Sequence, residues 1–105
     1  MTKNSKLSST NDALDIIYGG SKGCVVQLNE LPEYFFDFKN MLAGDVFQKF
    51  INHRFPLAII IPADKDLGER ISELIRDHKN HNCVRFFSDN RSAEIWIDSY
   101  ADTHL

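Results

Sequence analysis

The sequence lacks several features that would identify a class of function at once. Its 105 residues include only two cysteines, three prolines and one tryptophan. Lys and Arg are never adjacent and the net charge is −3, which argues against a protein that binds a nucleic-acid backbone through a basic patch. No segment approaches the roughly 18 consecutive apolar residues that span a bilayer. We therefore expect neither a nucleic-acid partner nor a membrane.

Motifs for cofactors and nucleophiles are also missing from the sequence. Gly19, Gly20 and Gly23 precede an apolar run that is typical of a strand, whereas the glycine loop of a dinucleotide site follows its strand. No strand-to-helix turn of the kind that forms a nucleophile elbow is visible. We therefore expect no cofactor, and no catalytic residue can be assigned.

The two cysteines each open an apolar run, CVVQL at Cys24 and CVRFF at Cys83. Cysteine is among the most buried residue types, so packing explains both. A disulfide would require adjacent strands in register. The N-terminal sequence MTKNSKLSST lacks the apolar region of a signal peptide, so we expect a cytoplasmic protein in which disulfides are rare.

The composition that is present belongs to an ordinary globular protein, with 43% hydrophobic and 26% charged residues. We expect a polar leader over residues 1–8 and one domain over residues 9–105. Ser9 or Thr10 can cap a first helix that ends at Gly19, with Asp12 completing a motif like a capping box. Further helices are predicted over about 39–52, about 67–79 and after residue 92, and strands over 24–28, 57–61 and 83–87.

The alternation of helices and strands predicts an α/β domain with a short, mostly parallel sheet. We expect three to four strands and about four helices in two or three layers. LAIII is apolar throughout, as expected of a central strand that is buried on both faces. The predicted core includes Phe47, Phe50, Ile59 and Ile60.

The segment that begins at Phe35, FFDFKNMLAGDVFQKFINHRFPLAII, resembles a bacterial family catalogued as domain of unknown function 4180. Members read close to FFDLKTGLAGEILQKF, followed by a basic loop and LAIVGD. NDALDIIY and FFSD are similar to the DALDLM helix and the FFV strand of that family. The resemblance implies a fold similar to STAS-type regulatory domains, and it implies no activity.

The sequence departs from the family pattern in three places. Members usually begin with a further pair of strands, which the short polar leader here does not match. Pro62 and Ala63 replace the glycine and acid after LAIV, with Asp64 one place later. STAS-type regulators are switched by phosphorylation of Ser or Thr, and Asn40 stands where this family often has Thr. We therefore expect no phosphorylation switch at that point.

Polar residues follow each predicted strand, and others open the second helix. In open parallel sheets, ligands bind outside the carboxyl ends of the strands. The acids and the base among these residues could perform acid–base chemistry, although loops are also polar simply because they are solvated. The candidate rim consists of Asn29, Glu30, Asp37, Lys39, Asn40, Asp64, Lys65, Ser88 and Asp89.

One group of residues has the composition of a metal site. His78, His81 and Cys83 form an H-x2-H-x-C pattern, and imidazole and thiolate are zinc ligands. The first two residues straddle a helix end and the third opens a strand, and no fourth ligand is evident nearby. We therefore expect no bound metal.

Two functions remain open. The first is a non-enzymatic regulatory or protein-binding module that acts through a homodimer or another protein, because the open edges of a short apolar sheet are templates for pairing. The alternative is a small enzyme or a small-molecule sensor that uses the candidate rim. A deep pocket with perturbed carboxylates would favour the alternative.

Overall fold

The computed structural model describes residues 7–32, 34–37, 41–62, 68–78 and 81–103. Within these residues four α-helices and three β-strands alternate along the chain, which confirms the predicted α/β class. The elements are α1 (Thr10–Ile17), β1 (Cys24–Gln27), a 3-10 turn (Leu28–Glu30), α2 (Leu42–Asn52), β2 (Leu57–Ile60), α3 (Glu69–Asp77), β3 (Val84–Phe87) and α4 (Asn90–Thr103).

The three strands form a parallel sheet in the order β1-β2-β3. Each strand therefore lies beside the strand that follows it in the chain, which is the common arrangement for consecutive strands. The register pairs Cys24 with Leu57, and Leu57 with Val84. Cys24 opens β1 and Cys83 immediately precedes β3. Because β2 lies between these strands, and neighbouring strands are about 4.8 Å apart, no disulfide joins the two buried cysteines.

The central strand β2 is buried on both faces. The domain therefore has three layers, with the sheet between two layers of helices. Successive side chains of a strand point to opposite faces. Leu57 and Ile59 belong to the larger core, which includes side chains of α1 and α2. Ala58 and Ile60 belong to a smaller core with side chains of α4.

The predicted core residues are all buried, as expected from the apolar spacing of α2 and β2. Phe50 and Ile59 have no exposed surface, and Phe47 and Ile60 are each 5% exposed. Phe50 packs beside Phe55, with ring centroids 5.8 Å apart. Phenyl rings thus fill the layer between α2 and the sheet.

The start of α1 confirms the predicted cap with one difference. The Ser9 hydroxyl accepts a hydrogen bond from the backbone N–H of Asp12 at 3.2 Å, which is the usual N-cap contact. The Asp12 carboxylate accepts instead from the N–H and hydroxyl of Ser8, at 2.9 and 2.7 Å. The capping contact is thus displaced by one residue from the expected box.

Several predicted boundaries were wrong by one to three residues. Each strand was predicted one residue too long, because Leu28 begins the 3-10 turn and Ile61 and Cys83 flank their strands. Met41 has a left-handed backbone conformation, with φ 55°. The helix α2 therefore starts at Leu42, later than the predicted start near residue 39. The predicted limits of α3 at residues 67 and 79 lie outside the described residues.

Gly23 allows α4 to pack closely against the start of β1. A Cβ atom at this position would lie 2.8 Å from Ile97 Cγ2, 2.9 Å from Pro56 Cγ and 3.1 Å from Pro56 O. Contacts this short would force the backbone or α4 to move. The absence of a side chain at Gly23 thus allows α4 to approach closely the face of the sheet that carries Ala58 and Ile60.

We predict that Phe50→Ala lowers the free energy of unfolding by about 3–5 kcal/mol, because it empties space in a close-packed core. Thermal unfolding should show a melting temperature lower by about 10 °C or more. Ile95→Ala, at a position 59% exposed on α4, is the matched control and should change stability by about 0.5 kcal/mol or less. Equal melting temperatures for the two variants would contradict the assigned core face of α2.

Candidate functional site

The candidate rim is described in part. Lys39, Asn40, Asp64 and Lys65 lie outside the described residues. Glu30, at the end of the turn after β1, is half-buried. The other four described members are exposed and lie after β1, before α2 or after β3: Asn29, Asp37, Ser88 and Asp89.

Glu30 stabilises the 3-10 turn that follows β1. Its Oε1 atom accepts a hydrogen bond from the backbone N–H of Gln27 at 2.7 Å. This contact satisfies a donor at the last residue of the strand and holds the 3-10 turn against it. The geometry therefore gives Glu30 a local structural role.

Asp89 caps α4, as the SDNRS turn predicted. Its Oδ1 accepts from the backbone N–H of Ser92 at 2.7 Å, and its Oδ2 accepts from the Ser92 hydroxyl at 3.1 Å. These hydrogen bonds hold the pKa of the Asp89 carboxyl below its usual value. The carboxylate is thus engaged at the start of the helix that follows β3.

A contact that the sequence did not reveal joins the end of β1 to the start of α4. The side-chain amide of Gln27 donates to Asn90 Oδ1 at 2.5 Å. Gln27 is the last residue of β1 and Asn90 is the first of α4, and they are 63 residues apart in the chain. Since the contact depends on the packing of α4 across the sheet, no local pattern could have found it.

The outer edge of β3 is the second candidate site. The carbonyls of Cys83 and Phe87 accept from the Leu57 and Ile61 N–H groups of the central segment, each at 2.8 Å. Alternate residues of a strand direct their backbone groups to opposite sides, so Val84 and Phe86 direct theirs away from β2. We define the outer edge of β3 as these outward N–H and C=O groups. Within the described residues the sheet ends at β3.

Aromatic side chains flank this edge on both faces of the sheet, and the four that do so are half-buried. On one face Phe86 lies 6.4 Å from Phe36, measured between ring centroids. On the other face Phe87 lies 5.6 Å from Trp96, whose ring is 5.1 Å from the Arg85 guanidinium carbon. The edge is thus bordered by partly exposed aromatic side chains and by the Arg85 guanidinium.

The H-x2-H-x-C group does not converge on one point. The Cys83 thiol donates into the interior, to Phe55 O at 3.1 Å and Phe50 O at 3.4 Å. His81 Nδ1 accepts hydrogen bonds from the backbone N–H groups of Cys83 and Val84, at 3.0 and 3.1 Å. The Nδ1 atom of His78 lies 2.9 Å from Leu74 O. Among the described residues, no three His, Cys, Asp or Glu side chains are placed to hold a metal ion.

The helices and the sheet form a small three-layer α/β domain. A family model described as "Domain of unknown function (DUF4180)" matches residues 1–97, and the chain belongs to this family. The predicted resemblance is thereby confirmed. Comparisons with curated proteins and with solved structures give no significant match.

Over the part of the chain that the structure describes, every helix is too short or too polar to cross a membrane.

We predict that Asp89→Ala weakens the first turn of α4, so that the Ser92 amide loses protection from hydrogen exchange and the melting temperature falls. Because the folded pKa is lowered, the stabilisation by the carboxylate is complete above its unfolded value of about 4 and is lost as the pH falls through the folded value. Asp89→Asn is the control, since Asn also caps helices. Unchanged Ser92 protection in Asp89→Ala would show that the cap is unimportant.

We predict that the purified protein contains much less than one equivalent of zinc, because the ring and thiol groups of the H-x2-H-x-C residues point to different partners. Elemental analysis after dialysis against zinc measures this directly. Near-stoichiometric zinc that disappears in His81→Ala would overturn the prediction.

Proposed function

We propose that this domain is a non-enzymatic regulatory module that binds protein, and that it acts as a homodimer joined through the outer edge of β3. The supporting observation is the combination of outward backbone groups at Phe86 with aromatic side chains on both flanking faces. The STAS-like architecture implied by the family resemblance, and the cytoplasmic location expected from the sequence, are parts of this proposal. Two buried cysteines that form no disulfide fit a reducing compartment.

The backbone of β3 supports strand pairing. In an antiparallel pair, opposed residues can exchange two hydrogen bonds, and the N–H and C=O of Phe86 both point outward. A two-fold axis through the two copies of Phe86 would join the three-stranded sheets into one continuous sheet. Such self-complementary contacts are the commonest route to a homodimer.

The side chains on the edge also favour association. Natural proteins protect open edges with charged residues, prolines or bulges, and β3 carries a single charge, at Arg85. The Arg85 guanidinium lies over the Trp96 ring, and its Nε donates to the His81 carbonyl. A second copy would bury the partly exposed rings of Phe86 and Phe87, and aromatic residues are enriched in such interfaces.

The described rim gives less support to an enzyme. Glu30 and Asp89 already accept hydrogen bonds from their own segments, at the turn after β1 and at the start of α4. A general acid or base must instead lie within reach of a substrate proton. The small enzyme or small-molecule sensor is therefore the less favoured function.

We predict that light scattering coupled to gel filtration gives a mass near twice 12.1 kDa at micromolar concentrations. Phe87→Lys should shift this mass to that of the monomer, because it places a charge on the proposed interface. Circular dichroism would establish that the variant is folded.

Val25→Lys is the matched control, because Val25 is also half-buried and packs on the same face of the sheet, from β1. This variant should remain dimeric. A monomer at every concentration of the parent protein would contradict the homodimer. A folded Val25→Lys monomer beside a dimeric Phe87→Lys would place the interface at β1 and refute the assignment to β3.

A further inference from the structure

His81 makes an unusual contact at the beginning of β3. Its Nδ1 atom accepts hydrogen bonds from two consecutive backbone N–H groups, those of Cys83 at 3.0 Å and Val84 at 3.1 Å. The ring therefore serves as a cap for the strand, much as a polar side chain caps a helix. We refer to Nδ1 and these two donors as the His81 cap.

The cap requires one protonation state of the imidazole. A neutral ring can accept at Nδ1 only when its proton is on Nε2, whereas the imidazolium has a donor at both nitrogens. Protonation at Nδ1 would direct three N–H groups at one another. The hydrogen bonds of the cap are therefore incompatible with a charged ring.

The surroundings of the ring also disfavour a positive charge. The described titratable or charged groups that face His81 are His78 at the end of α3, with ring centroids 5.0 Å apart, and Arg85 on β3. The Arg85 Nε donates to the His81 carbonyl at 2.6 Å. Burial first, and then these two neighbours, lower the pKa of His81 below its usual value of 6.5.

We propose that the His81 cap is a pH-sensitive device that releases the start of β3 when the ring is protonated. Release would free the N–H of Val84, which points to the outer edge of β3. The device acts within one chain and goes beyond the proposed homodimer. It would operate in mildly acidic solution, a range in which histidine is the usual titrating side chain.

The direction of the pH effect follows from proton linkage. A histidine with a lowered folded pKa binds fewer protons in the folded state than in the unfolded state between the two pKa values. The stabilisation from the neutral ring is complete above the unfolded value of 6.5. It is lost as the pH falls through the folded value.

Nuclear magnetic resonance of labelled protein from pH 8 to pH 5 tests the device. Histidine nitrogen spectra should show an unprotonated Nδ1 on His81 at neutral pH. As His81 titrates, the exchange protection of the Cys83 and Val84 amides should fall together. The fall in protection, measured relative to unstructured peptide at the same pH, should be about tenfold for each pH unit below the folded pKa.

Variants separate the cap from a general effect of acid. His81→Asn offers a carbonyl acceptor that does not titrate, so the two amides should stay protected at pH 5. His81→Ala should leave them weakly protected at every pH. His53→Asn, at an exposed histidine after α2, should behave like the parent protein.

Three results would overturn the proposal. The first is a proton on His81 Nδ1 at neutral pH. The second is constant protection of both amides while His81 titrates. The third is the same acid-induced loss in His81→Asn as in the parent. Since each is read in the amides of a single chain, dimerisation can fail without affecting the outcome.

Discussion

The fold depends on the burial of β2 on both faces. Leu57, Ala58 and Ile59 have no exposed surface and Ile60 has 5%, so each face of this strand must be covered by a separate layer. Helices α1 and α2 contribute to the larger core, whereas α4 supplies the helical part of the smaller one. In the described sheet β1 and β3 lie at the two edges. One face of β1 is only half-buried, whereas β3 has half-buried side chains on both faces.

The spacing of apolar residues predicted most of the architecture, because it reflects directly which side of each helix or strand is buried. The unbroken apolar run of LAIII indicated the central strand, and the spacing of Val46, Phe47 and Phe50 indicated the buried side of α2. The Ser9 cap was also readable, because it depends on residues a few positions apart. The strand ends were harder to predict. β1 stops before Leu28, because a 3-10 turn begins there and is stabilised by the Glu30 side chain.

The candidate site was less predictable because residue type does not specify a partner. Glu30 and Asp89 are acids at strand ends, which suits catalysis and capping equally, and in the structure both form local caps. His81 belonged to a plausible ligand pattern, yet its Nδ1 lies on backbone donors two and three residues away. The contact between Gln27 and Asn90 crosses the whole sheet, so it depends on tertiary packing alone.

The parallel register has a consequence for the folding of the chain. The pairings of Cys24 with Leu57 and of Leu57 with Val84 each close a loop of about 30 residues. No strand pair of this sheet can form as a local hairpin, and contacts of long sequence separation slow folding. Until both loops close, the apolar strands lack their neighbours. Unpaired apolar strands of this kind are prone to aggregation.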